Sequence, residues 1–360
     1  MFKRLLVHFI IALGITCAAV APAAQPCDPD LTPEVRALLN LLESTYGKKT
    51  LAGISGERNA ESILKVCGKE PAIVSFDLSG WNSPAWGKSY NKVVQDSLDK
   101  AKVWSRKGGI VAMQLHWKNP GRPDGRAWVG ASGGKPGTGP YNIAAAIKPG
   151  TTEHQQVMDD LKRHADFLQQ MLDARIPILW RPLHEIEGGW FWWTDKEQPE
   201  NTTALWRMMF DYFVKERKLH NLIWVYSSAL RCGKGAEGLA NLDMRKRFYP
   251  GDAYVDIVGI DIYPNSSIGI GKPQEDTYAK SHAVMKQLAP GKMIALSECE
   301  AMPDPQRMMT QGPRWLYCLP WWGEGKRHPA DWIKKTYVHE FVITLDQLPD
   351  LKTTGGNTDL

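Results

Sequence analysis

Glu185 and Glu298 are the residues of this 360-residue chain whose surroundings ask most plainly for a chemical explanation. Each closes an apolar, strand-like run: Ile176 to Glu185, reading IPILWRPLHE, and Met293 to Glu298, reading MIALSE. A carboxylate at the tip of such a run is costly unless it is solvated, paired or used. The bland reading is an internal ion pair, for example Glu185 with Arg181. The sharper one is that two carboxylates brought to one place are functional. His184 stands beside the first, His116 closes a third apolar run from Gly109, and Tyr263 closes a fourth from Val255. Neither HWKN nor LHEIE has the HExxH arrangement, so no metal is expected.

Such tips must be carried by a scaffold. Strand-like runs are predicted at Leu51–Gly56, Ala72–Leu78, Gly109–His116, Ile176–Glu185, Leu222–Ser227, Val255–Tyr263, Met293–Glu298 and Trp315–Trp321. Helical periodicity lies between them, at Pro33–Tyr46, Tyr90–Arg106, Thr152–Ala174, Thr203–Lys218 and Gln274–Leu288. Strands alternating with helices read as a single-domain (β/α)8 barrel of the α/β class, whose chemistry gathers at the strand C-termini. An open doubly wound sheet is the alternative. No G-x-G-x-x-G follows the first strand, which weakens a nucleotide-binding version of it.

The N-terminus reads as an export signal. Lys3 and Arg4 give a positive start, Leu5 to Val20 is a short apolar run, and Ala21-Pro22-Ala23 is a small-residue cleavage site. The expected division is therefore a signal peptide at 1–23, a catalytic domain at 24–352 and a loose polar tail at 353–360. Removing Lys3 and Arg4 lowers the net charge from +5 to +3, too mild for a nucleic-acid partner. No second apolar run suits a bilayer, so no membrane contact is expected after processing. Five cysteines remain after Cys17 leaves with the signal, and export permits a Cys27–Cys67 disulfide. The three others, Cys232, Cys299 and Cys318, are expected to include a buried free thiol.

Four segments carry a resemblance. WRPLHEIEGGWFWW around Glu185 is similar to the acid/base motif of glycoside hydrolase family 26, the β-mannanases. LSE at Glu298 resembles that family's nucleophile motif, and LHWKNP and VDIVGIDIYP match its third and sixth strand ends. The similarity runs through essentially the whole mature chain. It implies Glu185 as general acid/base and Glu298 as nucleophile of a retaining glycosidase, whose carboxyls stand about 5–5.5 Å apart. It further implies that Tyr263 hydrogen-bonds Glu298, that His116 and His184 contact sugar, and that Trp190 lies near the acid. Trp321, or its neighbour Trp322, is the implied platform under the sugar.

The substrate implied is mannan, glucomannan or galactomannan, cut internally by a monomer with no cofactor. Relatives that cut mixed-linkage β-glucan or β-1,3-xylan, or release disaccharide from a chain end, keep neighbouring readings open. Long loops at 81–92 and 117–143 could favour end-wise action. A barrel that only binds carbohydrate is disfavoured by the presence of both carboxylates.

Fifteen tryptophans are more than a core of this size needs. Trp81, Trp86, Trp117, Trp128, Trp190, Trp192, Trp193, Trp321 and Trp322 all fall at or after strand C-termini, which predicts a sugar-binding rim with Trp117 in it. Trp104, Trp180, Trp206, Trp224, Trp315 and Trp332 fall inside strands or helices and are assigned to the core. Two departures from the family pattern stand out. Glu187 and Glu300 add carboxylates two places after each catalytic candidate, where they raise the Glu185 pKa, bind a cation, mark a changed subsite or, most simply, face solvent. Asp261, inside the sixth strand, either positions Tyr263 or touches substrate.

Overall fold

The computed structural model describes residues 25–78, 88–122, 125–132, 134–233 and 236–350. The expected signal at 1–23 and tail at 353–360, with Trp81 and Trp86, lie outside the described residues. The chain enters through α1 (Pro33–Thr45) and β1 (Thr50–Ser55), followed by α2 (Glu57–Cys67), β2 (Ile73–Asp77), α3 (Lys88–Arg106) and β3 (Ile110–Gln114). Next come α4 (Ile143–Ala146), α5 (Thr152–Asp173), β4 (Ile178–Arg181), α6 (Pro199–Phe210), β5 (Leu222–Ser228), α7 (Leu242–Phe248) and β6 (Ile257–Ile262). The last quarter holds α8 (Ala279–Leu288), β7 (Met293–Cys299), α9 (Pro305–Gln311), β8 (Tyr317–Pro320), α10 (Ala330–Tyr337) and β9 (Val342–Ile343). Each of β1 to β8 pairs in parallel with the next, and β8 returns to β1, so the sheet closes into the expected barrel. The two-residue β9 adds beside β1.

The helices follow their caps and stripes. In α5, Val157, Leu161, Ala165, Leu168 and Met171 are buried at three- and four-residue spacing, and the Thr151 hydroxyl accepts from His154 N at the start. Two boundaries differ from expectation. Pro199 begins α6 four residues early because its fixed φ suits the first helical position, and residues Asp211–Glu216 continue it as a π-turn. Tyr278 adopts a left-handed backbone (φ 61°), and its N–H donates to Asp276, so α8 starts only at Ala279.

Strand alternation builds the floor of the site. Leu222, Trp224 and Tyr226 of β5 pack outward against the helices, whereas Ile223 and Val225 belong to an inner cluster with Leu51, Ile73, Ile110, Leu179 and Ile257. Val35, Leu38 and Leu42 of α1 join that inner cluster, and Thr32 N donates to His220 O just before β5. Thus α1 closes the N-terminal end of the barrel. Continued by two toward the C-terminal ends, the inner positions become Asp77, Gln114, Arg181, Ser227, Asp261 and Ser297. The interior is apolar below and polar above, which prepares one end for chemistry.

A bulge re-aims one tip. Ile260 pairs with Leu296 but Asp261 pairs with Glu298, so Ser297 is the extra residue in β7. The close approach needs Gly259 opposite: a Cβ there would stand 2.4 Å from Ser297 Oγ and 2.8 Å from its Cβ. Gly259→Ala is expected to cost about 1–3 kcal/mol of overpacking and to lower activity with it, since Ser297 precedes Glu298. Thermal melting and kcat measured on one preparation check both effects.

The expected Cys27–Cys67 disulfide is not formed; both are free thiols. Cys27 donates its N–H (2.8 Å) and its thiol (3.0 Å) to Asp256, while the Cys67 thiol donates to Ile63 O within α2. The N-terminal segment is therefore tied by a carboxylate. Cys232, Cys299 and Cys318 are also free and buried.

Candidate active site

The two carboxylates meet in one cleft of about 560 Å³ at the strand C-termini, whose walls include His116, His184, Tyr263, Trp190 and Trp321. A larger depression of about 750 Å³ lies on the outer wall among α5, α6 and α7, away from the strand tips. Position on the barrel decides between them, because the βα loops carry the chemistry of this fold.

Glu298 is buried and fully engaged. Arg181 Nη2 donates to its Oε1, and Tyr263 OH donates to Oε2 at 2.8 Å. Arg181 is itself held by the polar floor: Nη1 donates to Asp261 Oδ2 (2.8 Å) and Ser227 Oγ (3.2 Å), and Nη2 also donates to Gln114. Ser227 and Ser297 donate to the other Asp261 oxygen at 2.9 and 2.7 Å. Burial alone would weaken the Arg181 charge, but Asp261 and Glu298 raise its pKa above the ordinary range. Asp261 thus holds Arg181, rather than positioning Tyr263 directly. The expected Tyr263 bond is present.

Glu185 has a contrasting environment. Its Oε2 accepts from the Trp190 indole N–H at 2.6 Å. Burial, then the charges of Asp261 and Glu298, hold its carboxyl well above the ordinary value near 4.5; the Trp190 bond and Arg181 oppose this. The ion pair with Arg181 that would have explained Glu185 away is not made, since that guanidinium is committed to Glu298 and Asp261. The backbone at Leu183 (φ 46°) and Glu185 (φ 51°) is left-handed, where non-glycine residues rarely settle and strain gathers at functional sites.

The two histidines stand in series. His116 Nδ1 meets Asp77 Oδ2 at 2.5 Å, and its Nε2 lies 3.3 Å from His184 Nε2. Burial, then the neighbouring His116 and Arg181, push His184 well below its ordinary value, which disfavours its charged form. Asp77, Gln114, Arg181 and Ser227 were missed as site residues from sequence. Their signal was available in the period-two series of polar residues at strand ends.

The tryptophan rim divides. Trp128, Trp190, Trp321 and Trp322 line the cleft. Trp128 stacks on His116 (5.2 Å, 12°), and its backbone bridges Phe191, so the loop after β3 is laced to the loop after β4. Trp322 lies under the Arg327 guanidinium (4.1 Å) and meets Tyr263 edge-on. Trp117, Trp192 and Trp193 are instead fully buried, which corrects the placement of Trp117 on the sugar-binding rim. It points away from the cleft one residue after His116, donating to Asp160 Oδ2 at 2.9 Å and packing edge-on against Trp192. The six indoles assigned to the core are all buried.

The expectation for Glu187 also needs correction, for it does not face solvent. It is buried and paired with Arg245 at 2.5 Å. Glu300 is half-buried and lines the cleft. Among the described residues, the one His/acidic cluster compact enough for a cation is Asp28, Asp30 and His220, at the opposite end of the barrel. None of these described helices is long and apolar enough to cross a membrane.

Residues 27–347 match the family model described as glycosyl hydrolase family 26. A mannan endo-1,4-beta-mannosidase of Thermothelomyces thermophilus is 32% identical over 89% of this chain and 62% of its own length. Mannan endo-1,4-beta-mannosidase B of a Piromyces species is 30% identical, over 91% of this chain and 54% of its own. The chain thus spans between half and two thirds of these relatives. Among solved structures, the beta-mannanase from a symbiotic protist of the termite Reticulitermes speratus, complexed with gluco-manno-oligosaccharide, superposes with a TM-score of 0.76. It is 31% identical, over 91% of this chain and 98% of that one.

Proposed function

The chain belongs to glycosyl hydrolase family 26, and from that premise we propose that it is a secreted, retaining endo-β-1,4-mannanase. The observation that carries the chemistry is the asymmetry of the two carboxyls. One is half-buried beside anions and accepts from an indole; the other is buried and clasped by a guanidinium and a phenol. A site whose surroundings separate two carboxyls in this way assigns an acid and a nucleophile.

In the first step a Glu298 oxygen attacks the anomeric carbon. The glycosidic C–O bond breaks with its electron pair on the departing oxygen, which takes the proton of Glu185. In the second step water attacks the same carbon and gives its proton to Glu185, and the bond to Glu298 breaks to restore the carboxylate. Arg181 and Tyr263 hold the attacking oxygens in place and receive the charge back when the ester is cleaved. Trp321 and Trp190 flank the pair, offering indole faces and edges to a sugar ring.

Mannan is proposed as substrate because the relatives that match over most of this chain are named for it. Hydrolysis of linear mannan, with lichenan and β-1,3-xylan in parallel, tests the polymer. Proton NMR of the first products tests retention. A random early size distribution is expected, and release of disaccharide alone would overturn endo action. Secretion rests on residues 1–23, and N-terminal sequencing of protein from the medium should begin at Ala24.

Trp190 gives a graded check on the acid. Its indole N–H stabilises the anion of Glu185, so Trp190→Phe raises that pKa further. Hydrolysis requires the protonated acid, and activity falls as pH rises through its pKa. The alkaline limb of kcat/KM is therefore expected to move to higher pH in Trp190→Phe.

A further inference from the structure

Glu187 stands two residues after a catalytic candidate on left-handed backbone, and its carboxylate is bound at the end of β5 and to Arg245. Its Oε1 accepts from Arg245 Nη1 (2.5 Å) and from Ser228 Oγ, and its Oε2 accepts from Ala229 N at 3.1 Å. Arg245 is fully buried in α7. It also donates to Ser228 Oγ and to the carbonyls of Ala229 (3.0 Å), Leu230 (3.2 Å) and Gly238 (3.4 Å). Next to it, Ile186 N donates to Ser227 O at 3.1 Å. Two consecutive residues after Glu185 are therefore fastened to two consecutive steps at the tip of β5.

Glu185 itself needs such fastening. It lies beyond the last paired residue of β4, in a left-handed backbone, and its carboxyl has the Trp190 indole as its hydrogen-bond donor. A conformation of this kind persists only when its surroundings over-determine it. A buried ion pair is a poor source of stability, because desolvation offsets the attraction, but one held by this many hydrogen bonds resists displacement. Here both Glu187 oxygens and both Arg245 Nη atoms are engaged, and only Arg245 Nε is left without a partner.

We propose that the buried Glu187–Arg245 pair is a positioning device for the acid/base, clamping the turn that bears Glu185 to the end of β5. The proposal rests on the reading of Glu185 as proton donor. Glu187 and Arg245 touch no substrate; they act through the backbone of residues 185–188.

The test uses the double variant Glu187→Gln/Arg245→Met, which leaves neither charge buried alone. Two substrates are compared: linear mannan, whose leaving group needs a proton, and 2,4-dinitrophenyl β-mannobioside, whose leaving group does not. A carboxyl displaced by about 1 Å is expected to lower kcat on mannan by about 100-fold, with KM nearly unchanged. For the dinitrophenyl substrate kcat/KM should stay within about threefold, and added azide should raise its kcat, since azide needs no base. Equal losses on both substrates, or full activity on mannan, would overturn the positioning role. Ser228→Ala, which removes only the shared hydroxyl, is the gentler variant should the double one not fold, and a smaller split of the same direction is expected. Glu185→Ala is the control. If it shows the split and the pair variants do not, the positioning role alone is lost; if it shows none, the acid assignment is lost.

Discussion

Glu298→Ala is expected to lower kcat on linear mannan by at least about 10⁴-fold, the scale on which loss of a covalent nucleophile is felt. The fold should survive. Arg181, the charge that Glu298 neutralises in part, keeps Asp261 at 2.8 Å together with Ser227 and Gln114, so no buried cation is left unpaired. Tyr263 loses its acceptor and turns toward the vacated space. Azide can occupy that space and attack a dinitrophenyl mannoside directly. Its product should be the α-mannosyl azide, of inverted configuration, because one displacement replaces two. Circular dichroism and melting on the same sample separate this loss from unfolding.

Glu185→Ala has the second largest expected effect, and it depends on the leaving group. On mannan, loss of the proton donor is expected to cost about 10²–10⁴-fold. With a dinitrophenyl leaving group the first step survives, the glycosyl-enzyme accumulates without a base to activate water, and azide restores turnover as the β-mannosyl azide. The alkaline limb of the pH profile should vanish, since the group that sets it is gone.

Stability moves the opposite way. The folded-state pKa of Glu185 lies above its ordinary value near 4.5, so the folded protein retains this proton where the unfolded chain has lost it. Folding stability therefore falls as pH rises from about 4.5 toward the raised value, and it stays lower beyond. Glu185→Gln removes that penalty. It is expected to melt above the wild type at neutral pH, with a gap that narrows as pH falls toward 4.5. Melting curves across that range check the sign.

Much of this was legible because strand tips are punctuated by polar residues in apolar runs. IPILWRPLHE and MIALSE place Glu185 and Glu298 without any structure, and eight such runs were enough for the barrel. The direction of a side chain just past a strand was less legible. Trp117 and His116 are neighbours, yet one packs against Asp160 and the other faces the cleft, because the period-two alternation continues after the ladder ends. Glu187 was misjudged for a different reason. A carboxylate reads as solvated unless a cation is near, and Arg245 is 58 residues away in sequence. The same holds for Cys27, whose partner Asp256 is 229 residues distant. The short helices α2, α7, α9 and α10 were also missed, since 7 to 11 residues give a stripe too few turns to stand out.

The most direct test of the paired roles is to trap the covalent intermediate. Glu185→Ala, or the wild type, is incubated with 2,4-dinitrophenyl 2-deoxy-2-fluoro-β-mannoside, whose fluorine slows both steps while the leaving group rescues the first. Intact mass should rise by one fluorosugar, and peptide mapping should place it on Glu298. A label on any other residue, or turnover of natural substrate with inversion and no label, would contradict the double displacement.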